Sequence, residues 1–320
     1  MGRGRILGRR RILAALLAAP WVAWALARTL AIDTFHPAVA LMSLTPLVAA
    51  TAIVPLIVAL ATREWVVAAV AAVAMAALVV AVLPRALGGP QQASDGAAGR
   101  TLVVMSANLR LGQADPRAVL RLVREHDVDV LSLQELTPQA LARLDAAGAR
   151  TLLPGRVVDP RARASGTGLM ARRGLRTVPE KPARGTLQAA LPVRGAPALA
   201  LVAVHPVPPI SRDSERDWRA VLDALPGPYE GGRAHLLLGD FNATLDQRAL
   251  RRVLDRGYAD AADATGDGLV FTFAVGDQRP LITIDHVLVA RTIGVRRFSA
   301  HDVAGSDHRA IVAELVLGPA

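Results

Sequence analysis

The residues of this chain best suited to chemistry close apolar, strand-like stretches: Asn108, Glu135, His205, Asp240, Asn242, Asp285 and the adjacent pair Asp307 and His308. Carboxylates, amides and imidazoles in that mix suit hydrolysis of a phosphoester. That reaction needs charge neutralised on the phosphoryl oxygens, an activated water and help for the leaving oxygen. A hard divalent cation, Mg²⁺ with Mn²⁺ as the alternative, does the first job and takes oxygen ligands. Glu135 is the foremost candidate ligand, because it ends the apolar run VLSLQ, where a carboxylate needs a reason; a strand-end cap or salt bridge is the bland alternative. Asp240 and Asn242 stand two apart in GDFN, so in an extended segment both point one way while Phe241 turns to the core. The acid could then orient the attacking water while the amide holds a phosphate oxygen, although G-D-x-N alone also makes an ordinary turn.

His308 offers a titrating imidazole beside an acid, and Asp285, in TIDH, is spaced to lie on a neighbouring strand and fix its tautomer. His205, in VAVHPVPP, could protonate the leaving oxygen or bind the phosphate. Thr272 in FTF and Arg216 in SERDWR are weaker candidates for phosphate contact, and His36, His126, His235 and His301 read as structural or solvated.

These residues need elements to bring their strand ends to one edge. From residue 101 the chain alternates strand and helix: strands over 101–108 and 128–135 enclose an amphipathic helix over 116–126, opened by Asp115 and Pro116. A short helix over 137–148 has Thr137 as its cap and Gly148 as its stop. Strands at 166–172, 186–193 and 198–205 follow, then helix 214–225, strand 234–242, helix 246–257 and strands 281–290, 295–303 and 310–317. LSLQE and LLLGDFN are alike, each an apolar strand ending in polar residues before a helix. Such halves predict an α/β sandwich of two packed sheets with helices outside.

The first 99 residues differ. They carry eight Arg against three acids, Asp33, Glu64 and Asp95, and are otherwise rich in Ala, Val and Leu. Apolar runs over 12–27, 39–61 and 65–83 approach the ~20 residues that cross a bilayer, which predicts an all-α membrane region of about three helices over 1–83. Five of the first eleven residues are Arg, so the N-terminus should stay cytoplasmic. An odd number of spans then makes the chain a multi-pass protein of the cell membrane with its catalytic domain outside. A cleaved signal peptide is the rival reading of the first run. Residues 84–100 have the Gly, Pro, Ala, Ser and Gln content of a flexible linker, and a catalytic domain follows over 101–320. The chain has no cysteine, which excludes a thiol nucleophile, a Cys-based zinc site and disulfides. Its net charge of +10 suits an anionic partner or membrane surface, or an Arg-rich proteome.

In order, SANL (Asn108), LSLQEL (Glu135), VHPVPP (His205), LLLGDFNA (Asp240, Asn242), TIDHVLV (Asp285) and GSDHRAIVAEL (Asp307, His308) resemble the motif set of the endonuclease/exonuclease/phosphatase superfamily over 101–317. The resemblance implies a four-layer α/β sandwich and Mg²⁺-dependent phosphoester cleavage. It further implies Asn108, Glu135 and Asp307 around the metal, Asn108, Asn242 and His205 at the substrate, and Asp240 and Asn242 at the attacking water and phosphate. His205 and His308 become the acid/base pair, supported by Asp285. Members that cut at abasic DNA sites resemble one another in an acid two residues beyond the Asn, where this chain has Arg110. The membrane region looks instead like that of members linked to teicoplanin resistance, which act on cell-envelope phosphates. The expected partners are therefore the lipid bilayer and an anionic, phosphate-bearing substrate. A lipid-carrier phosphate or pyrophosphate leads; nucleic acid, cut by a surface nuclease, is the alternative, weakened by having Tyr229 and Tyr258 as its only tyrosines.

Overall fold

The computed structural model describes residues 2–33, 35–91, 93, 99–178, 184–193, 198–230, 233–274 and 279–318, with side chains from residue 9 onward. It divides into two compact units, Met1–Pro84 with Asp246–Arg248, and the rest from Arg85.

In the larger unit, one sheet has six strands in the order Gly294–Asp302, Arg309–Leu317, Arg100–Asn108, Val130–Gln134, Thr167–Ala171, Gly155–Asp159. The other has seven: Tyr258–Asp260, Asp285–Ala290, Arg233–Asp240, Leu199–Val204, Thr186–Leu191 and Arg176–Thr177 in order, with Tyr229–Glu230 beside Arg233–Asp240. Alternation along each strand gives each sheet two apolar faces. Leu102, Val104, Val130 and Ile311 of the first sheet pack with Leu201, Leu236, Leu238 and Val287 of the second. The opposite face of the first sheet, with Met105, Leu131, Leu133 and Met170, is covered by helices Pro116–Glu125 and Pro138–Ala146. These begin where expected: Asp115 caps the amide of Arg117, and Thr137 that of Ala140. Helix Arg212–Asp223 buries Trp218, whose indole N–H donates to the Phe241 carbonyl. The expected α/β sandwich is the fold.

Two expectations change. The run 281–290 is not one strand: Pro280–Ile282 pairs with Phe273–Ala274, and a new strand starts at Asp285. The break is held by the buried Thr272 hydroxyl, which accepts the amides of both Ile284 and Asp285. Residues 84–93 are not a free linker where they are described. Gly89 donates to the Ala264 carbonyl, Gly268 donates to that of Arg85, and Gln91 and Ala93 exchange backbone hydrogen bonds with Val295. Residue 92 and residues 94–98 of that call lie outside the described residues.

The first unit is helical. Among the described residues two helices, Arg9–Thr29 and Trp65–Ala86, are long and apolar enough to cross a membrane. The middle run, expected as one span over 39–61, is instead broken into Ala38–Met42, Thr45–Thr51 and Ile53–Ala61. Pro46 and Pro55 lie in its second and third pieces, and proline supplies no amide to an i→i−4 bond. Packing fixes the directions. Ala14 and Ala18 meet Ala59, Val67, Ala68 and Ala71, whereas Ala25 meets Ala52, Ala74 and Leu78. The first and last helices are therefore parallel, with the broken segment antiparallel beside them. Small residues line these interfaces, while Ile12, Leu16, Leu26, Ile53, Ile57, Val66, Val73 and Val80 point outward and are exposed. Within the same unit Arg28 Nε lies 2.8 Å from Asp246, and the Arg248 amide donates to Asp33.

Candidate active site

Strand register assembles the site. Asn108 is the partner of Gln134, so Glu135 emerges beside it. Val204 is the partner of Gly239, which sets His205 next to Asp240. Only glycine allows this approach, since a Cβ at 239 would lie 2.0 Å from the Val204 carbonyl oxygen. Asp285 pairs directly with Asp240 across an antiparallel ladder, and His308 enters just before the strand Arg309–Leu317.

The sheets meet at one amide. Asn108 Nδ2 donates to Asp240 Oδ2 at 3.0 Å and to Glu135 Oε1 at 3.3 Å, so carboxylates from different sheets share a donor. Asp240 is 2 % exposed, and its other oxygen accepts the Asn242 amide at 2.8 Å. Glu135 also accepts from the Leu111 amide. Glu135 and Asn242 adopt left-handed backbone, φ 55° and 47°. His205 Nε2 stands 3.8 Å from Glu135 and 3.7 Å from Asp240.

His308 Nδ1 lies 2.9 Å from Asp285 Oδ2, its Nε2 lies 3.6 Å from Asp240, and its ring packs on Phe273 with centroids 4.6 Å apart. Burial works against a charged imidazole here, but Asp285, then Asp240, then Asp307 outweigh it and lift His308 to about 10. Burial also raises the Asp285 carboxyl while His308 pulls it down. The pair keeps a proton between them, and with two carboxylates around the ring it resides on His308.

Thus Asn108, Glu135, His205, Asp240, Asn242, Asp285 and His308 converge. Asn242 does so in a different role, because its side-chain amide donates to the Pro206 carbonyl at 3.0 Å and ties down the His205 loop. Asp307 lies at a bend and turns its carboxylate to Arg110 at 3.6 Å, so it bears on the site only through its charge on His308. Thr272 is spent on the backbone break described above. Arg216, exposed and paired with Asp213 at 2.7 Å, stays with its own helix. His286 belongs in the description although its sequence context, mid-run in an apolar strand, gave no signal. Its Nδ1 donates to Asp260 at 2.7 Å and its Nε2 to the Ala243 carbonyl at 2.8 Å. Burial opposes its charge, yet Asp260 raises its pKa. The buried His286 ring thereby pins Ala243, the residue that follows Asn242.

The donor set suits a hard cation. Ligand atoms of Asp240, Asp285 and His308 lie within 4.8 Å of one another, with Glu135 across the Asn108 amide. The carboxylate oxygens of that group, with those of Glu135, are the donors that Mg²⁺ and Mn²⁺ prefer. Residues 105–308 match the Endonuclease/Exonuclease/phosphatase family, which is well over half of the chain. The chain belongs to that family. Its members are metal-dependent hydrolases of phosphoesters, and this family hydrolase carries their fold. C. elegans TDP2 is similar at 19% identity and TM-score 0.54, over 70% of this chain and 78% of that one. A 3'-5' exonuclease (NExo) from Neisseria meningitidis is similar at 18% and 0.51, over 68% and 100%. An endonuclease/exonuclease/phosphatase from Beutenbergia cavernae is similar at 18% and 0.50, over 69% and 72%. Identities this low speak to fold alone. Among curated proteins none matches.

Proposed function

We propose that this family hydrolase is a membrane-anchored, Mg²⁺-dependent phosphoesterase that cleaves a phosphate ester or pyrophosphate of a cell-envelope lipid carrier with water. The observation that carries the chemistry is the shared amide: Asn108 holds Glu135 and Asp240 at one point, within reach of His205 and the Asp285–His308 pair. Glu135, the least buried of the three carboxylates, would be the cation's principal ligand. The cation, when bound, neutralises charge on the phosphoryl group. Asp240, aligned by the Asn108 side chain and the Asn242 amide, orients the attacking water and accepts its proton. His308, protonated at neutral pH, binds the phosphoryl oxygens as charge builds on them, and Asp285 fixes its ring. His205 faces both Glu135 and Asp240 and donates to the leaving oxygen.

The membrane reading is supported by the reversed polarity of the first unit, with alanines inside and Leu, Ile and Val outside. A soluble bundle buries its large side chains, whereas membrane helices pack through small ones. The antiparallel segment Thr45–Ala61 makes the third crossing, reaching the levels of both neighbours, Ala59 beside Ala14 and Ala52 beside Ala25. With the Arg-rich N-terminus cytoplasmic, the catalytic unit lies outside. Purified full-length protein with Mg²⁺ and undecaprenyl pyrophosphate should release phosphate. Failure on every lipid phosphate, under conditions in which the same preparation nicks a plasmid, would replace this reading with a surface nuclease.

A further inference from the structure

Beyond Leu87, the exposed large apolar side chains described in the Arg85–Ala320 unit are Leu111, Val207, Ile210, Tyr229 and Leu281. All but Tyr229 lie on segments joined to site groups. The Leu111 amide donates to Glu135; Val207 and Ile210 follow His205 and Pro206, the latter bonded to Asn242; Leu281 precedes Ile282, the partner of the Phe273 that packs on His308. Ile210 is 75 % exposed and Leu111 48 %. Each segment also carries an arginine within two residues of its apolar tip: Arg110, Arg212 and Arg279, the first paired with Asp307. Apolar tips flanked by arginines match the interface of an anionic bilayer, where apolar groups enter the headgroup boundary and cations meet lipid phosphates.

We infer that this rim is a membrane-docking surface: Val207, Ile210 and Leu281, with Leu111, enter the outer edge of an anionic bilayer and bring the site to a phosphate on an amphiphile lying in it. The position of the rim stands on the exposure pattern; its use in turnover rests on the proposed phosphoesterase reading. Docking of this kind buries apolar groups roughly 5–10 Å into the headgroup region.

The chain has no cysteine, so Ile210→Cys and Leu281→Cys each give a single labelling site, and Gly174→Cys gives a control in open space, three residues past Ala171, the partner of Val130 at the start of the strand whose far end precedes Glu135. Full-length variants carrying a polarity-sensitive fluorophore are reconstituted into phosphatidylglycerol vesicles with and without nitroxide-labelled phospholipid. Quenching at 210 and 281 at least about threefold stronger than at 174, and weaker in neutral phosphatidylcholine vesicles, is the expected result. Equal quenching at all three positions overturns the inference. So does shielding that follows the protein-to-lipid ratio, which marks an interface between copies. Turnover of the soluble diester bis(p-nitrophenyl) phosphate by the same samples reports the site separately. Active but unquenched protein refutes the rim alone, whereas quenched protein inert toward every phosphoester supports the rim and refutes the enzymatic reading.

Discussion

Asp285→Asn removes one buried charge while keeping the side chain's shape. His308 Nδ1 sits 2.9 Å from Asp285, and Nε2 sits 3.6 Å from Asp240. Burial resists the imidazolium, yet these carboxylates lift it to about 10, against an ordinary value of about 6.5. The difference, 10 minus 6.5, corresponds to roughly 5 kcal/mol at about 1.4 kcal/mol per pH unit. Without Asp285, burial faces a single close carboxylate, and the imidazole falls toward or below its ordinary value. The assay is ring NMR of histidine-labelled, cation-free protein, with His308→Gln to assign the signal. Native His308 should keep its proton to about pH 10, and the variant should release it at least roughly two pH units lower. A midpoint moved by less than about half a pH unit would refute the electrostatic account. The sign for stability follows. A folded value above the unfolded one stabilises fully below about pH 6.5, and that contribution is lost as pH rises through about 10. The variant should flatten this decline, and its kcat should fall roughly 10²–10⁴-fold with KM little changed.

Glu135→Gln should weaken Mg²⁺ binding measured by calorimetry by more than roughly 10–100-fold, the range lost when a mere outer partner of a ligand is removed; unchanged affinity would place the cation elsewhere. His286→Gln removes the imidazole from Asp260, which keeps only the Asp263 amide, and should cost about 3–5 kcal/mol in chemical denaturation. A loss under about 1 kcal/mol would mean the pair is not ionised. Ala71→Leu drives a larger side chain against Ala14 and Ala18 and should destabilise the helical unit in micelles by about 1–3 kcal/mol. Val73→Leu, on the outward face at 71 % exposure, should not; equal effects would argue against the packing described.

Strand-terminal polar residues were legible in the sequence because a charged group after a run such as VLSLQ or HLLLG has few ways to be satisfied inside a core. Their convergence depends on strand order, which no local pattern carries. Asp307 could not be told from His308 by spacing, since only the folded bend turns one toward Arg110 and the other toward Asp285. Thr272, by sequence a weaker candidate for phosphate contact, has its hydroxyl buried between amides, a role set by a strand break invisible in LITIDHVLVA. His286 was missed because an imidazole within DHVLV shows its partners only when Asp260 and Ala243 are brought to it. Residues 85–91 and 93 are flexible by composition, yet backbone groups of Arg85, Gly89, Gln91 and Ala93 pair with Gly268, Ala264 and Val295 whatever side chains they carry.

The left-handed backbone at Glu135 and Asn242 sets fold against turnover at those two positions. Such φ values cost an ordinary L-residue about 1–2 kcal/mol, and glycine or asparagine much less. Asn242 is already a tolerant residue; Glu135 is not. A selection for thermal resistance alone would therefore drift toward glycine at 135, yielding a sturdier chain that has discarded its carboxylate. Thermostable variants of this hydrolase have to be sought with 135 held fixed.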